Sequence, residues 1–174
     1  MKIRNLPAAA LLGLGVLLGC AGDPVPLPSQ PSFYASMAEA GATVDAAAAA
    51  SMISGYRGNN GLGAVEVDSD LMRMAMDQAR VMAAKDKLDH AAGRDFASRL
   101  ATSGFDAKIA VENVGAGYHT LAEAFSGWRD SPSHRANMLK SGVNRLGVAA
   151  VYAPQSKYKV FWALIMAAKD DARG

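Results

Sequence analysis

The sequence contains one cysteine among its 174 residues, so no disulfide can form within a single chain. It also has only three histidines, and aromatic residues make up 7% of it. Hydrophobic residues make up 51%, and a chain of this length can bury roughly two-thirds of its unfolded surface. We therefore predict one compact domain that is stabilised by its core rather than by disulfides.

No hydrophobic run near the N-terminus is long enough to span a bilayer, which takes about 20 residues. The run over residues 6–18 follows Lys2 and Arg4, a pattern typical of a secretory signal. The four residues from Leu17 to Cys20, Leu-Leu-Gly-Cys, resemble the lipobox of bacterial lipoproteins, where the cysteine is lipidated and the chain is cut before it. We predict a signal peptide over residues 1–19 and a lipid anchor on Cys20. The alternative is an ordinary signal peptide with a chance cysteine.

Four prolines, at positions 24, 26, 28 and 31, follow the cysteine. Proline at this density favours an extended chain, so residues 20–33 are interpreted as a semi-rigid spacer before a domain over residues 34–174. Ala21 after the cysteine resembles the outer-membrane sorting pattern of Gram-negative lipoproteins. We therefore expect an exported, membrane-anchored protein, in the outer membrane or periplasm if the organism is Gram-negative.

An excess of positive charge is also missing. Lys2 and Arg4 are two of the 18 basic residues, so without residues 1–19 the chain has 16 basic and 16 acidic side chains. A nucleic-acid partner usually requires a basic face, and none is expected here. Attachment to the membrane would depend on the lipid.

The folded region predicts helices first and strands last, which indicates an α+β fold. Helices are expected over residues 44–57 with Thr43 as N-cap, from Asp68 or Ser69 onward, and over residues 95–102. A further helix over residues 120–129 is capped by Thr120, with Glu123 completing a capping box. Two segments rich in β-branched and aromatic residues, 144–152 and 157–166, predict a hairpin.

His134 lies at the start of another predicted helix. Ser131 is the expected N-cap, Pro132 the first helical residue and His134 the third. The positive end of the helix dipole disfavours a charged imidazole, and a neutral ring suits a metal ligand or a general base. A purely structural histidine is equally compatible with this position. A Ser131–His134 hydrolase is disfavoured, because capping explains Ser131 and no G-x-S-x-G motif is present.

Five segments in order resemble the bacterial branch of the CAP superfamily, which comprises cysteine-rich secretory proteins, antigen 5 and pathogenesis-related 1 proteins. The resemblance covers residues 49–167 and implies an α–β–α sandwich with a three-stranded antiparallel sheet. The segments are Tyr-Arg-Gly-Asn-Asn-Gly-Leu from Tyr56, Leu-Asp-His ending at His90, Glu112-Asn113, the run from Trp128 to Asn137, and Phe161-Trp162.

The resemblance also implies a cleft containing two histidines and two acids. His90, Glu112 and His134 match the first histidine, the first acid and the second histidine. Two neutral histidines and a carboxylate can hold Zn²⁺ or another divalent metal with one open position. Ser131 occupies the position of the second acid, so Asp130, Ser131, Asn113 and Glu123 are the remaining cleft candidates. His119 matches no family position and is expected on a surface loop.

Three functions of different class follow from the resemblance. The first is an extracytoplasmic binding module whose cleft takes a divalent metal, a small hydrophobic ligand or a cell-envelope ligand. The second is a metal-dependent hydrolase of peptide or envelope substrates, with Asp130 or Glu123 as the general base. The third is a structural envelope protein with a vestigial cleft.

Overall fold

The computed structural model describes residues 30–170. The predicted signal peptide, Cys20 and most of the spacer lie outside the described residues. A 3-10 turn at Ser32–Tyr34 is followed in chain order by α1 (Ala46–Gly58), β1 (Glu66–Val67), α2 (Ser69–Ala84), α3 (Phe96–Ala101), β2 (Ala107–Ala116), α4 (Leu121–Asp130), α5 (Pro132–Met138), β3 (Arg145–Ala153) and β4 (Lys159–Lys169). No helix within this part of the chain is long and apolar enough to cross a membrane.

The sheet has four strands in the order β1-β3-β4-β2. The predicted hairpin is present as β3 and β4, which pair antiparallel, and β2 pairs antiparallel with the other side of β4. These are the three antiparallel strands that the resemblance implied. The two-residue strand β1 adds a short parallel pair to β3. Since β2 is last in the strand order, it is an edge strand.

The central strand β4 is buried on both faces, because helices cover the sheet on each side. One set of its residues packs in a core with α1, α4 and α5 and comprises Val160, Trp162, Leu164 and Met166. The alternating set packs in a second core with α2 and comprises Phe161, Ala163, Ile165 and Ala167. The fold is therefore an α+β sandwich with the sheet between two helical layers, as predicted.

Helix starts agree with the sequence except at α1. Asp68 caps α2 by accepting hydrogen bonds from the backbone of Asp70 and Leu71, as predicted. The prediction of Thr43 as the cap of α1 was wrong: Asp45 is the N-cap, and its Oδ1 accepts from the Ala48 nitrogen at 3.0 Å. The helix begins only at Ala46, which leaves Thr43 too far upstream to reach the free backbone N–H groups of the first turn.

Arg57, near the end of α1, holds the end of α5 in place. Its side chain is 1% exposed, and its guanidinium donates to four backbone carbonyls. These are the carbonyls of Gly63 at 2.8 Å, Met138 at 2.8 Å, Lys140 at 3.0 Å and Val143 at 3.0 Å. A single buried cation thus fixes the segment between α5 and β3 against α1.

Candidate functional site

The candidate site is built around the side chain of Glu112, which is 2% exposed. Its Oε1 lies 2.8 Å from His90 Nδ1. Arg99 Nη2 donates to both carboxylate oxygens, at 2.9 Å to Oε1 and 2.7 Å to Oε2. A buried carboxylate requires such partners, because desolvation of an unpaired charge is very unfavourable. We call His90, Glu112 and Arg99 the His–Glu–Arg cluster.

Glu112 and Asn113 are neighbours on the edge strand β2, but their side chains make different contacts. Successive side chains of a strand point to opposite faces. Glu112 pairs in register with Ile165, on the α2 side of the sheet, and Asn113 pairs with Leu164, on the α1, α4 and α5 side. Glu112 therefore meets His90 and Arg99 on one face, and Asn113 meets α5 on the other.

An amide network fixes His134 beside this strand. Asn113 Nδ2 donates to the His134 carbonyl at 3.0 Å. Asn137 Nδ2 donates to the Glu112 carbonyl and to Asn113 Oδ1, both at 2.9 Å. These contacts hold the first turns of α5 against β2. The predicted site residues His90, Glu112, Asn113 and His134 are thus brought to one edge of the sheet.

The two histidines have opposite electrostatic environments. The hydrogen bond that His90 donates to Glu112 raises the pKa of His90 above its ordinary value of 6.5. Burial lowers the pKa of His134, and the charge of nearby His90 lowers it further. The site thus favours protonation of His90 over protonation of His134.

The position of Glu112 bears on the predicted metal set. Both of its oxygens are hydrogen-bonded, and within residues 30–170 no group of three or more His, Cys, Asp or Glu side chains is placed to hold a metal ion. A carboxylate only accepts, so His90 Nδ1 carries the hydrogen, and Nε2 of the neutral ring keeps its lone pair. A carboxylate bound to the far nitrogen of a histidine is the usual partner of a metal-ligating ring. Glu112 therefore fits the role of orienting His90. Zinc binding by His90, Glu112 and His134 together stays a prediction.

The remaining cleft candidates have other partners. Glu123 completes the capping box with Thr120, as predicted, and its Oε2 accepts from the nitrogens of His119 and Thr120. Asp130 is exposed and pairs with Arg129 at 2.9 Å. Both acids considered as a general base are thus engaged outside the His–Glu–Arg cluster. His119 lies on an exposed loop, as predicted.

Ser131 occupies the N-cap position of α5, but the expected side-chain hydrogen bond is not made. Its Oγ lies 3.4 Å from Ser133 Oγ instead. Pro132 is the first helical residue, as predicted. Because proline has no N–H, it removes one of the donors of the first turn. The capping interpretation of the Ser131 hydroxyl was therefore wrong, although its backbone position was correct.

Arg99 is the functional residue that sequence reasoning missed. It lies on α3, and its side chain is 11% exposed. Besides Glu112, its Nη2 contacts the His90 carbonyl at 3.1 Å, and its Nε contacts the Arg94 carbonyl at 3.1 Å. No local motif marks this arginine, because its main partner is on another element. The one indication of Arg99 is that a buried acid on β2 requires a counter-charge.

These features define a small α–β–α sandwich domain with a histidine–carboxylate cluster at the edge of its sheet. The sequence profile of the cysteine-rich secretory protein family (CAP) matches residues 50–166, and the chain belongs to this family. The family resemblance predicted from the motifs is thereby confirmed.

Relatives of this chain include proteins of several bacteria. An uncharacterized protein, YkwD, of Bacillus subtilis is 30% identical over 98 residues, which are 55% of this chain and 38% of that protein. A Bacillus anthracis extracellular protein containing an SCP domain is similar in structure, with a TM-score of 0.62 and 21% identity over 71% of this chain and 40% of that one. The chain thus spans less than half the length of either.

A third similar structure is that of an outer surface protein of Borrelia burgdorferi. Its TM-score is 0.64 with 17% identity, and the match covers 75% of this chain and 99% of that one. At this identity the likeness shows a common fold and nothing about activity.

Proposed function

We propose that this protein is a lipid-anchored, extracytoplasmic binding module whose cleft lies between His90 and His134. One observation carries the proposal. A buried carboxylate, Glu112, is held by Arg99 from one side and orients His90 from the other, while more than half of the His90 side chain remains exposed at 54%. Buried charge that positions a half-exposed ring is costly to maintain for folding alone, and it is the arrangement expected of a binding site.

The ligand class that fits best is a divalent metal, bound through the two imidazoles. Glu112 would fix the ring of His90 and leave Nε2 available, and the lowered pKa of His134 favours the neutral form of its ring. A metal such as Zn²⁺ would supply open coordination positions for an envelope ligand. The raised pKa of His90 opposes this, because protons compete with metal for the ring. Binding should therefore strengthen as pH rises.

The site can be tested by calorimetric titration of Zn²⁺ into the full-length chain in detergent micelles. We expect stoichiometric binding that is lost in His134→Ala. His119→Ala is the matched control, because it removes an exposed histidine outside the cluster and should leave binding unchanged. Glu112→Gln should weaken binding by about 10–100-fold, as expected for a residue that orients a ligand.

The emission of Trp128 and Trp162, both buried, should confirm that each variant is folded. If wild type binds no zinc, or if His119→Ala and His134→Ala lose it equally, the metal proposal is wrong. The cleft would then be tested with small hydrophobic and envelope ligands.

The anchor is supported by the lipobox-like sequence before Cys20 and by the extracellular and surface proteins among the structural relatives. Mass spectrometry of the chain from bacterial membranes should find an N-terminal lipidated cysteine. Cys20→Ser should move the protein from the membrane to the soluble fraction. An unmodified Cys20, or membrane attachment that survives the substitution, would contradict the anchor.

A further inference from the structure

A surface without charged side chains lies where the chain enters the domain. It is formed by the 3-10 turn Ser32–Tyr34 and by the outward face of α1. A shallow groove of about 480 Å³ joins the two elements. The described residues that line this groove are all uncharged and comprise Pro31, Ser32, Phe33, Ala48, Ser51 and Met52. We call the groove, the outward face of α1 and Tyr34 the N-terminal surface.

The outward face of α1 is unusual for a helix at the surface of a protein. Such helices normally place charged and polar side chains towards water. Arg57 is the one charged residue between Ala46 and Gly58, and it is buried. The exposed positions of the helix are Ala47, Ser51, Gly55 and Gly58. The helix therefore presents small, uncharged residues to the solvent along its whole length.

Tyr34 adds an exposed aromatic ring to the N-terminal surface. At 48% exposure, it is one of three large hydrophobic side chains that are well exposed within residues 30–170. Its ring packs against that of the half-buried Phe33, with the ring centres 4.6 Å apart. Tyrosine combines an apolar ring with a hydroxyl that can stay in water, so it suits the boundary between a bilayer and water.

The chain before this surface leads to the predicted anchor. Ser32 follows Cys20 by 12 residues, and an extended proline-rich chain spans about 3.1 Å per residue. The predicted spacer would thus keep the N-terminal surface within about 37 Å of the point of attachment. A short tether raises the local concentration to about the millimolar range, so even a weak apolar contact would be populated.

Acidic residues at the border of the N-terminal surface determine the kind of bilayer that fits. Asp45 caps α1 and accepts from Ser32 Oγ at 2.7 Å. Glu123 lines a second groove, on which Tyr34 also lies. Both carboxylates are exposed, and an anionic membrane surface would repel them. A zwitterionic bilayer therefore fits this surface better.

We propose that the N-terminal surface is a membrane-docking surface, which lies on the zwitterionic bilayer that holds the lipid on Cys20, with the ring of Tyr34 at the bilayer–water boundary. The proposal rests on the lipid anchor proposed above and adds the orientation of the domain. α2 and the turn after it would face away from the membrane, because they lie on the other side of the sheet from α1.

The test attaches the domain chemically, so it does not depend on lipidation in the cell. Residues 20–174 retain all the described helices and strands, which lie between Ser32 and Lys169. Cys20 is the only cysteine in the sequence, so it can be coupled specifically to a maleimide lipid in phosphatidylcholine vesicles. If Cys20 is not lipidated in the cell, the anchor is wrong, but this measurement of the surface is unaffected.

Two tryptophan variants report which face of the domain meets the bilayer. Tyr34→Trp places the probe in the N-terminal surface, and Leu88→Trp places it at a 43% exposed position in the turn after α2. Trp128 and Trp162 are buried and contribute the same background emission to both variants. Lipids brominated in their acyl chains quench tryptophan only at short range. We expect them to quench the added emission of Tyr34→Trp and to leave that of Leu88→Trp unchanged.

Two charge variants, each combined with Tyr34→Trp, test whether the uncharged face of α1 is needed. Ser51→Glu places a negative charge at an exposed position of this face, and Glu favours a helix at least as well as Ser. It should abolish the quenching. Arg80→Gln lowers the net charge by the same amount on the exposed side of α2, so it is the matched control and should keep the quenching. Adding an anionic lipid to the vesicles should weaken the quenching.

Four outcomes would overturn the proposal. If Tyr34→Trp is not quenched, or is quenched no more than Leu88→Trp, the bilayer does not select this surface. Quenching that survives Ser51→Glu would mean that α1 does not take part. Stronger quenching with anionic lipid would mean that positive charge elsewhere attracts the membrane. If the uncoupled chain sediments as a dimer that Ser51→Glu converts to a monomer, a second copy covers the surface instead.

Discussion

Replacing Glu112 by Gln tests whether the His–Glu–Arg cluster is a buried charge network. The substitution keeps the shape of the side chain and one acceptor oxygen, but it removes the negative charge. Arg99, whose side chain is 11% exposed, would then be a nearly buried cation without a counter-charge. Removing one partner of a buried ion pair costs about 3–5 kcal/mol.

We expect the lower end of that range, about 3 kcal/mol, for two reasons. The amide oxygen of the variant still accepts from Arg99. The guanidinium also keeps its contacts to the carbonyls of His90 and Arg94 and lies 5.5 Å from the ring centre of Phe96. The partner variant Arg99→Met should cost a similar amount, because it leaves Glu112 buried with only His90. The double variant should cost less than the sum of the two, with a coupling of about 1–3 kcal/mol.

Urea unfolding of a soluble form comprising residues 30–174 is the assay, since all the helices and strands described lie between Ser32 and Lys169. Trp128 and Trp162 are 1% and 0% exposed, so their fluorescence reports on both the α4 region and the sheet. The free energy of unfolding should fall with an unchanged denaturant slope. If Glu112→Gln lowers the free energy of unfolding by less than about 1 kcal/mol, as at a surface ion pair, the cluster is not a buried charge network. Strict additivity in the double variant would refute the network as well.

The remaining predictions concern pH, packing and a buried cation. The pKa of His90 is raised in the folded state, so its protonation stabilises the fold fully below its ordinary value of 6.5, and this contribution is lost as pH rises through the folded-state pKa. NMR titration should show a lower His90 pKa in Glu112→Gln, and an unchanged value would mean that the carboxylate is not the cause. Gly147→Ala should destabilise by at least about 3 kcal/mol, because its Cβ would overlap the backbone of α2, where nothing can yield easily. The control Gly63→Ala faces open space and should stay within about 0.5 kcal/mol of wild type in the same urea assay. Arg57→Met should cost at least about 3 kcal/mol, because four carbonyls lose a charged donor, and a smaller loss would mean that water replaces it.

Local patterns were enough to predict most helices and the hairpin. Asp68 and the Thr120–Glu123 capping box mark helix starts through contacts within one turn of chain, so the sequence carries the whole signal. The helix expected over residues 95–102 is present as Phe96–Ala101, with its predicted ends serving as caps. The family could also be recognised, because the order of five short segments along the chain can be compared without knowing their contacts in the fold.

The strand β2 could not be predicted from its residues. Glu112, Asn113 and Gly115 are poor strand formers, and the segment becomes a strand only because β4 offers a hydrogen-bonding edge. This dependence on tertiary pairing also decides where the site lies. Alternation along β2 sends Glu112 to one face of the sheet and Asn113 to the other.

The sequence by itself was enough to predict the family, the α+β class, most of the helix caps and four polar residues that lie at one edge of the sheet, His90, Glu112, Asn113 and His134. The tertiary structure alone decided what Glu112 does. Its partners come from α3 and from the turn after α2, 13 and 22 residues away along the chain, and no short-range pattern encodes such contacts. A buried carboxylate must be neutralised by whatever the fold brings beside it, and only folding brings Arg99 there.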